Sequence, residues 1–582
     1  MPDFFILIRL YLQAKVITHI CNKKSLVSKT KFIAMKIFPV FLFLTIFSNF
    51  SFAQDSINVK DIQSAEKIIS VHFTEAKEDS LLESVQYKAK VYHKIHGFSL
   101  DNSIPMTMSQ SPLLPYMYLN MKQLPVKFSS PEIVNMPANK NELAFYSIQQ
   151  LASLIKNKKI TSVQLTKFFL ERLKKYGDTL HCVISLTEDI AMEEAQEADK
   201  EISAGKYRGL LHGIPYGLKD LFAVKGTKTT WGAEPYKNQV IDNNSYVYTK
   251  LKEAGAVLVA KLSMGALAMD DYWFEGQTKN PWNMMEGSSG SSAGSAAATV
   301  AGLVPFAIGT ETYGSIISPS TVCGATGLRP TFGSVSRSGA MTLSWSLDKA
   351  GPICRSAEDA AIVFNYLHGT DGKDATAVNM PFNYKEKVDL SKMKISYARN
   401  YFGKKDTLGN ENNVLEVYRK AGARLIPVDF PDSGIYNFDM MGIVIGAESA
   451  AAFDGFTRTG IDDKMPRQGK SEWPNFFRAA RFIPAVEYIN ANRHRTLLLQ
   501  EVNEVVEKYD VLICPTWGGN QAAITNLTGH PAISIPTGFN KENTPTSITL
   551  VGKLFDEATL LEVAKIYQEA TKWNKMHPEY FK

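Results

Sequence analysis

Gly287-Ser-Ser-Gly-Ser-Ser-Ala-Gly-Ser-Ala-Ala-Ala298 is the most unusual stretch of a 582-residue sequence, with eleven small residues following its first glycine. The apolar run Val304 to Ile308 comes next, and then Gly309-Thr-Glu-Thr-Tyr-Gly-Ser-Ile316. Small side chains let a backbone come close to a ligand. A flexible linker has a similar composition, but the continuation Ala296 to Ala301 is helix-forming and apolar, as a solvated linker is not. Within the stretch, Gly290-Ser291-Ser292-Ala293-Gly294 fits the G-x-S-x-G nucleophile elbow, with His368, His494 or His530 downstream to complete it. That elbow needs a β-strand directly before it, whereas Pro281 to Ser288 is turn-rich and does not alternate. The serines therefore call for another explanation.

Outward from this stretch, short apolar runs recur at Ala256 to Leu262, Val304 to Ile308, Ile395 to Ala398, Leu425 to Val428 and Val511 to Cys514, with helical patterns between them. Strands alternating with helices predict an α/β fold, a mixed, mostly parallel twisted sheet covered by helices on both faces. Ser147-x-x-Gln150 and Thr161-x-x-Gln164 are capping boxes, the second opening a helix with Leu165, Phe169, Leu173 and Tyr176 on one stripe. No Pro- or Ser-rich linker divides residues 141–582, which read as a single large domain. Before it, residues 54–140 read as a preface. Helical spacing runs through Ile68, Ile69, Phe73, Leu81, Leu82 and Val85, and an extended segment rich in Pro, Ser, Asn and Met follows.

Residues 1–53 read as a leader. Lys36, the apolar run Phe38 to Phe47, and Ser51-Phe52-Ala53 before Gln54 have the order of a secretory signal peptide, with translation starting at Met35 and cleavage after Ala53. This predicts a periplasmic or secreted protein. The apolar run is short of the roughly 20 residues that a spanning helix needs, so no permanent membrane anchor is expected. Of 64 Lys+Arg and 58 Asp+Glu, the leader holds seven bases and one acid, which leaves 57 of each sign in the body. A neutral body has no footprint for a phosphate backbone, and a nucleic-acid partner is not expected. Cys182, Cys323, Cys354 and Cys514 remain after the leader without any Cys-x-x-Cys, so neither a zinc site nor a disulfide framework is predicted. No sequence signal bears on oligomeric state.

Together with Gly213-Ile-Pro-Tyr-Gly-Leu-Lys-Asp220, the serine-rich stretch closely resembles the amidase signature family, which includes peptide amidases, fatty acid amide hydrolases and the A-type chains of amidotransferases. Asn280-Pro-Trp-Asn283, Cys323-Gly-Ala-Thr-Gly-Leu-Arg-Pro330, Gly333-Ser-Val-Ser-Arg337, Ser346-Leu-Asp348 and Gly529-His-Pro-Ala-Ile-Ser-Ile-Pro536 extend the resemblance over residues 141–582. It implies a Ser-Ser-Lys triad of Lys219, Ser291 and Ser315. Lys219 would act as a base with its pKa brought down about three units, and Ser291 would relay the proton from a cis Gly290–Ser291 peptide. Ser315 would be the nucleophile, with the backbone amides of Thr312, Tyr313, Gly314 and Ser315 as oxyanion hole. The register Ser289-Gly290-Ser291-Ser292 selects Ser291, with Ser292 and Ser288 as the alternative assignments. No metal or organic cofactor is implied.

Two departures from the family pattern stand out. Ile317 occupies the place of a usual Arg, while its acid remains as Glu311, so the expected loss is a structural ion pair. Tyr313 has two readings, narrowing the acyl pocket or simply packing. Asp220, Asp348 and His212 read as structural, and the Asn526-Leu-Thr528 acceptor pattern is assigned no role. The sequence thus points to an exported amidase cleaving a small-molecule linear carboxamide. An amidotransferase A-type subunit, an ester hydrolase and an inactive amidase-like binding protein are the alternatives.

Overall fold

The computed structural model describes residues 57–69, 71–96, 102, 111–114, 116–130, 134–403, 410–432 and 438–582. The expected leader, with its start at Met35 and cut after Ala53, lies outside them. The chain divides into two compact units, Met1–Ile95 and His96–Lys582.

In the first unit, Asn58 and Asp61 form a capping box that opens the helix Val59–Ile68, and a second helix spans Glu75–His96. Gln63 reaches across to Glu78 at 2.7 Å, and Gln86 to the carbonyl of Ile57 at 2.8 Å, so the two helices fold back on each other. The apolar residues at the break between them, Ile68, Ile69 and Phe73, are exposed.

The second unit is built on a sheet of eleven strands among the described residues. Its strands are β1 (Val183–Leu186), β2 (Pro215–Lys219), β3 (Val257–Leu262), β8 (Ala307–Glu311), β9 (Thr326–Arg329), β10 (Lys349–Cys354), β11 (Ile395–Ala398), β12 (Leu425–Val428), β13 (Val511–Pro515), β14 (Ala532–Phe539) and β15 (Pro545–Gly552). Two small hairpins, β4 (Tyr272–Trp273) with β5 (Gly276–Gln277) and β6 (Lys279–Asn280) with β7 (Asn283–Gly287), lie outside it. The strand order is β1-β3-β2-β8-β10-β9-β14-β15-β13-β11-β12. The sheet is mixed as expected, but its balance differs from the mostly parallel one predicted. The β3–β2–β8 and β13–β11–β12 groups are parallel, whereas β8 through β10, β9, β14 and β15 to β13 is antiparallel throughout. The apolar runs that signalled strands sit mainly in the parallel groups, where βα alternation is legible. Of the antiparallel centre, β9 and β10 are Gly-, Arg-, Lys- and Pro-containing segments without such a run, whereas β14 and β15 carry an alternation at Ile533, Ile535, Ile548 and Leu550 that the reading of apolar runs did not include.

Helices cover both faces, and the strands show it. Along β3, Val257 and Val259 join one buried apolar cluster while Leu258 joins another, and Ala307 and Ile308 of β8 divide the same way. Successive side chains of a strand point to opposite faces, so two cores flank one sheet. Both predicted capping boxes form, Ser147 with Gln150 and Thr161 with Gln164. The stripe Leu165, Phe169, Leu173 and Tyr176 is buried on the helix Ser162–Leu180. Residues 122–129 run extended over the body, where Gln123 and Phe382 exchange hydrogen bonds of 2.9 and 3.0 Å and Lys127 donates to the Tyr384 carbonyl at 3.2 Å. The four cysteines are buried free thiols. Asn526 is buried in the helix Gln521–Thr528 and bonded to Glu311, so its acceptor pattern is closed off in the folded protein.

Removing the Thr161 hydroxyl, which accepts from the Gln164 amide at 3.1 Å, should cost about 1 kcal/mol. Urea titration of Thr161→Ala should therefore show a lower midpoint with an unchanged slope, and an unchanged midpoint would show that the cap contributes nothing.

Candidate active site

Lys219 ends β2 and is fully buried, as is neighbouring β3, while β8 on the other side is buried except at the half-buried Thr310. Its Nζ donates to Ser291 Oγ at 2.9 Å, Ser292 Oγ at 3.0 Å and Thr310 Oγ1 at 2.9 Å, with the Thr310 carbonyl at 3.3 Å. These acceptors are neutral. Burial pushes the amine from its ordinary value near 10.5 down to about 7, against the opposing pull of the Asp348 and Glu311 carboxylates. The drop of about three units that the resemblance called for is thus present.

The serine loop reaches Lys219 because it has no side chains to hold it off. A Cβ on Gly290 would fall 1.7 Å from the Asp270 carbonyl oxygen, and one on Gly294 would fall 2.5 Å from that of Cys182. The small residues therefore serve approach to other backbone segments, where the sequence suggested approach to a ligand. All eight residues of the helix Ala293–Val300 are buried. The Gly290–Ser291 peptide is cis, where the resemblance placed it. A short strand, β7, does precede the loop, contrary to the turn-rich reading. It pairs only with β6, outside the central sheet, so the setting of a nucleophile elbow is still absent. The three histidines that would complete such an elbow are elsewhere: His368 packs on Phe364 and Phe382, His530 bonds Thr528 Oγ1 at 2.8 Å, and His494 is exposed.

The two candidate relay serines differ in their bonding. Ser292 Oγ donates to the Thr310 carbonyl and accepts from the Thr310 amide, both at 3.1 Å, so it is committed to β8. Among the described residues, Ser291 Oγ has Lys219 as its sole hydrogen-bond partner. Ser288 Oγ bonds the Ser289 carbonyl at 2.9 Å, away from Lys219. Ser315 lies in the turn after β8, and its carbonyl accepts from the Ser292 amide at 3.2 Å, which sets the two loops side by side. Its hydroxyl makes no hydrogen bond among the described residues, and neither do the amides of Thr312, Gly314 and Ser315. Tyr313 packs against the core.

Asp348 and Glu311 frame this turn. Asp348 accepts from Thr312 Oγ1 at 2.6 Å and from the amides of Leu343 and Ser344 at 2.8 and 3.0 Å. Burial raises its pKa. Glu311 accepts from the amides of Ile316 and Ile317, both at 2.9 Å, and pairs with Arg329 at 2.9 Å. The ion pair expected to be lost with the Arg at position 317 is therefore kept, its cation supplied by Arg329 of β9. Asp220 pairs with Lys261 at 2.7 Å and accepts from Thr230, and His212 Nδ1 accepts from the Arg208 amide at 3.0 Å, both structural as expected. Sequence reasoning missed Thr310 as a Lys219 partner, although it lies inside the quoted motif, and missed the grip of Asp348 on Thr312. Among the described residues, no three His, Cys, Asp or Glu side chains cluster as metal ligands.

Residues 164–561 match the family described as Amidase. The chain belongs to the amidase family. The A-type chain of the glutamyl-tRNA(Gln) amidotransferase of Coxiella burnetii is 32% identical over 481 residues, covering 74% of this chain and 99% of the relative. That of a Marinomonas species is 33% identical over 482 residues, covering 74% and 98%. The native peptide amidase of Stenotrophomonas maltophilia superposes with a TM-score of 0.68 at 27% identity, covering 74% of this chain and 98% of that one. Amide C–N chemistry is thus the business of this family, and the Lys219 cluster lies inside the matched region.

A lysine whose folded pKa is lowered holds fewer protons than the unfolded chain between about 7 and 10.5, so its contribution to stability rises with pH across that window. Chemical denaturation of the wild type and Lys219→Met at pH 6 and pH 9 should show the wild type gaining on the variant at the higher pH. A pH-independent difference would contradict the depressed pKa.

Proposed function

We propose that this protein is an exported amidase that hydrolyses the C–N bond of a linear carboxamide through Lys219, Ser291 and Ser315. The observation that carries the reading is a buried lysine, depressed to about 7, with an otherwise uncommitted serine 2.9 Å from its amine. Neutral Lys219 takes the proton of Ser291, which takes that of Ser315. Ser315 Oγ then bonds to the carbonyl carbon, and the oxyanion is met by the amides of Thr312, Tyr313, Gly314 and Ser315. Collapse breaks the C–N bond, with the relayed proton delivered to the leaving nitrogen. Water, deprotonated by the same relay, attacks the ester carbonyl, and the released acid restores Ser315. Export rests on the pattern from Lys36 to Gln54 and is read out by a mature N-terminus at Gln54.

A second reading, an amidotransferase A-type subunit, is favoured by one observation: relatives at 32–33% identity whose length this chain covers almost entirely carry that name. Ammonia release from a free carboxamide by the isolated chain supports the hydrolase, and release only on addition of a partner protein supports the amidotransferase.

Treatment with a fluorophosphonate should place an adduct on Ser315 that is lost in Ser315→Ala and Lys219→Ala, read by peptide mass spectrometry. Below about pH 7, kcat/KM should climb nearly tenfold per unit as Lys219 loses its proton, and it should level above that value. Ser291→Ala should cost at least a hundredfold more than Ser292→Ala. An adduct on Ser292, or the reverse order of the two serine variants, would reassign the relay.

A further inference from the structure

Beside the triad lies a cavity of about 220 Å³ bounded by three segments of the site. Leu221 and Phe222 follow Lys219 on one side, Thr310 and Thr312 form another, and Ala268 comes from the loop whose Gly265 amide donates to the Ser291 carbonyl at 3.3 Å. The opposite wall is Met341, Leu343 and Trp345.

Building on the hydrolase reading, we propose that this cavity is the acyl pocket and that it selects a compact apolar acyl group, an aromatic ring on a short linker, over both acetyl and long alkyl chains. The side of the scissile bond follows from the turn that carries the nucleophile: Thr312, three residues before Ser315 in that turn, lines the cavity, although neither Ser315 nor Ser291 does so itself. The polarity follows from commitments already made. Arg337 is forked onto Asp374 at 2.8 and 3.1 Å, Asp348 holds Thr312, and Lys349 donates to Asn526 at 2.8 Å. Apart from exposed Lys373, the charged lining groups therefore have partners; the rest of the lining is the apolar side chains of Leu221, Phe222, Met341, Leu343 and Trp345 with the hydroxyls of Thr310, Thr312, Ser338 and Thr342 among them.

The size limit follows from volume and rigidity. A cavity of roughly 150 Å³ suits a benzene ring, so 220 Å³ admits a ring with a short linker and not an extended chain. The wall that would have to yield is pinned from behind. Buried Glu448 accepts from Ser344 Oγ at 2.6 Å, the Ser346 amide at 3.0 Å, Ser346 Oγ at 2.7 Å and Tyr488 at 2.8 Å, while Arg495 donates to Ser346 Oγ at 2.9 Å and its carbonyl at 2.8 Å. Leu343 and Trp345 alternate with these anchored serines. Tyr313 is not part of the cavity lining and packs against the core.

The test is a series of acyl p-nitroanilides with one leaving group, acetyl, butanoyl, phenylacetyl and dodecanoyl, on the full chain. The expected kcat/KM is highest for phenylacetyl, at least tenfold above acetyl and dodecanoyl. Met341→Trp should lower the phenylacetyl-to-acetyl ratio about tenfold, and Trp345→Ala should raise the dodecanoyl-to-phenylacetyl ratio severalfold. A flat series, a preference for dodecanoyl, or ratios unmoved in both variants overturns the pocket. So does a Ser315 that reacts with a fluorophosphonate while phenylacetyl anilide is inert, and in each of these cases the hydrolase reading stands. No turnover of any anilide together with an unreactive Ser315 overturns the hydrolase reading and takes the pocket with it.

Discussion

A lysine amine stripped of water and given only neutral oxygens is the constraint around which the rest is arranged. An ammonium at the end of β2 would be held in place by any carboxylate nearby, and its pKa would climb back. The two acids close enough to matter, Asp348 and Glu311, are instead spent on other groups, the first on Thr312 and the Leu343–Ser344 turn, the second on Arg329 and the turn after β8. Each carboxylate thus shapes the loop that carries Ser315 without bonding the amine. Desolvation wins the balance at Lys219, and the amine comes down to about 7.

That arrangement demands an opposite charge or a hydrogen bond for each charged group around it, since an unpaired buried charge costs several kcal/mol. Arg329 supplies the cation to Glu311 and spans to the His530 carbonyl at 2.9 Å, and Asn526 bridges Glu311 to Lys349 at 2.9 and 2.8 Å. Burial and the neighbouring Arg329 both lower the pKa of Lys349. The antiparallel centre of the sheet exists to hold this network: β8, β9 and β10 each contribute one of its charges.

This explains which parts were legible in the sequence. The runs at Ile395 to Ala398, Leu425 to Val428 and Val511 to Cys514 became strands almost residue for residue, because their Val, Ile and Leu side chains lie in one buried apolar core or pack against it. β8 begins three residues later than its apolar run, since Val304 to Phe306 is a buried turn. Pro215-Tyr-Gly-Leu-Lys219 gave no strand signal at all, and its lysine was readable only through the motif around it. Lys219 and the serine-rich loop could be picked out because their chemistry is local in sequence. The Thr312–Asp348 bond and the substitute ion pair through Arg329 could not, because each depends on strand neighbours that only the sheet order brings together.

The buried cysteines have a use of their own. Burial pushes the thiol of Cys182 up to about 12 and raises those of Cys323, Cys354 and Cys514, so the thiolate needed for alkylation is scarce in the native state. They sit at distinct places: Cys182 just before β1, Cys323 with its Sγ 3.6 Å from the Ser288 carbonyl, Cys354 in β10 and Cys514 in β13. The described residues therefore hold four silent probes, each unmasked only when its own neighbourhood opens. The rank in which they become alkylated in rising denaturant would chart which end of the sheet loosens first, with Cys323 reporting on the serine loop itself.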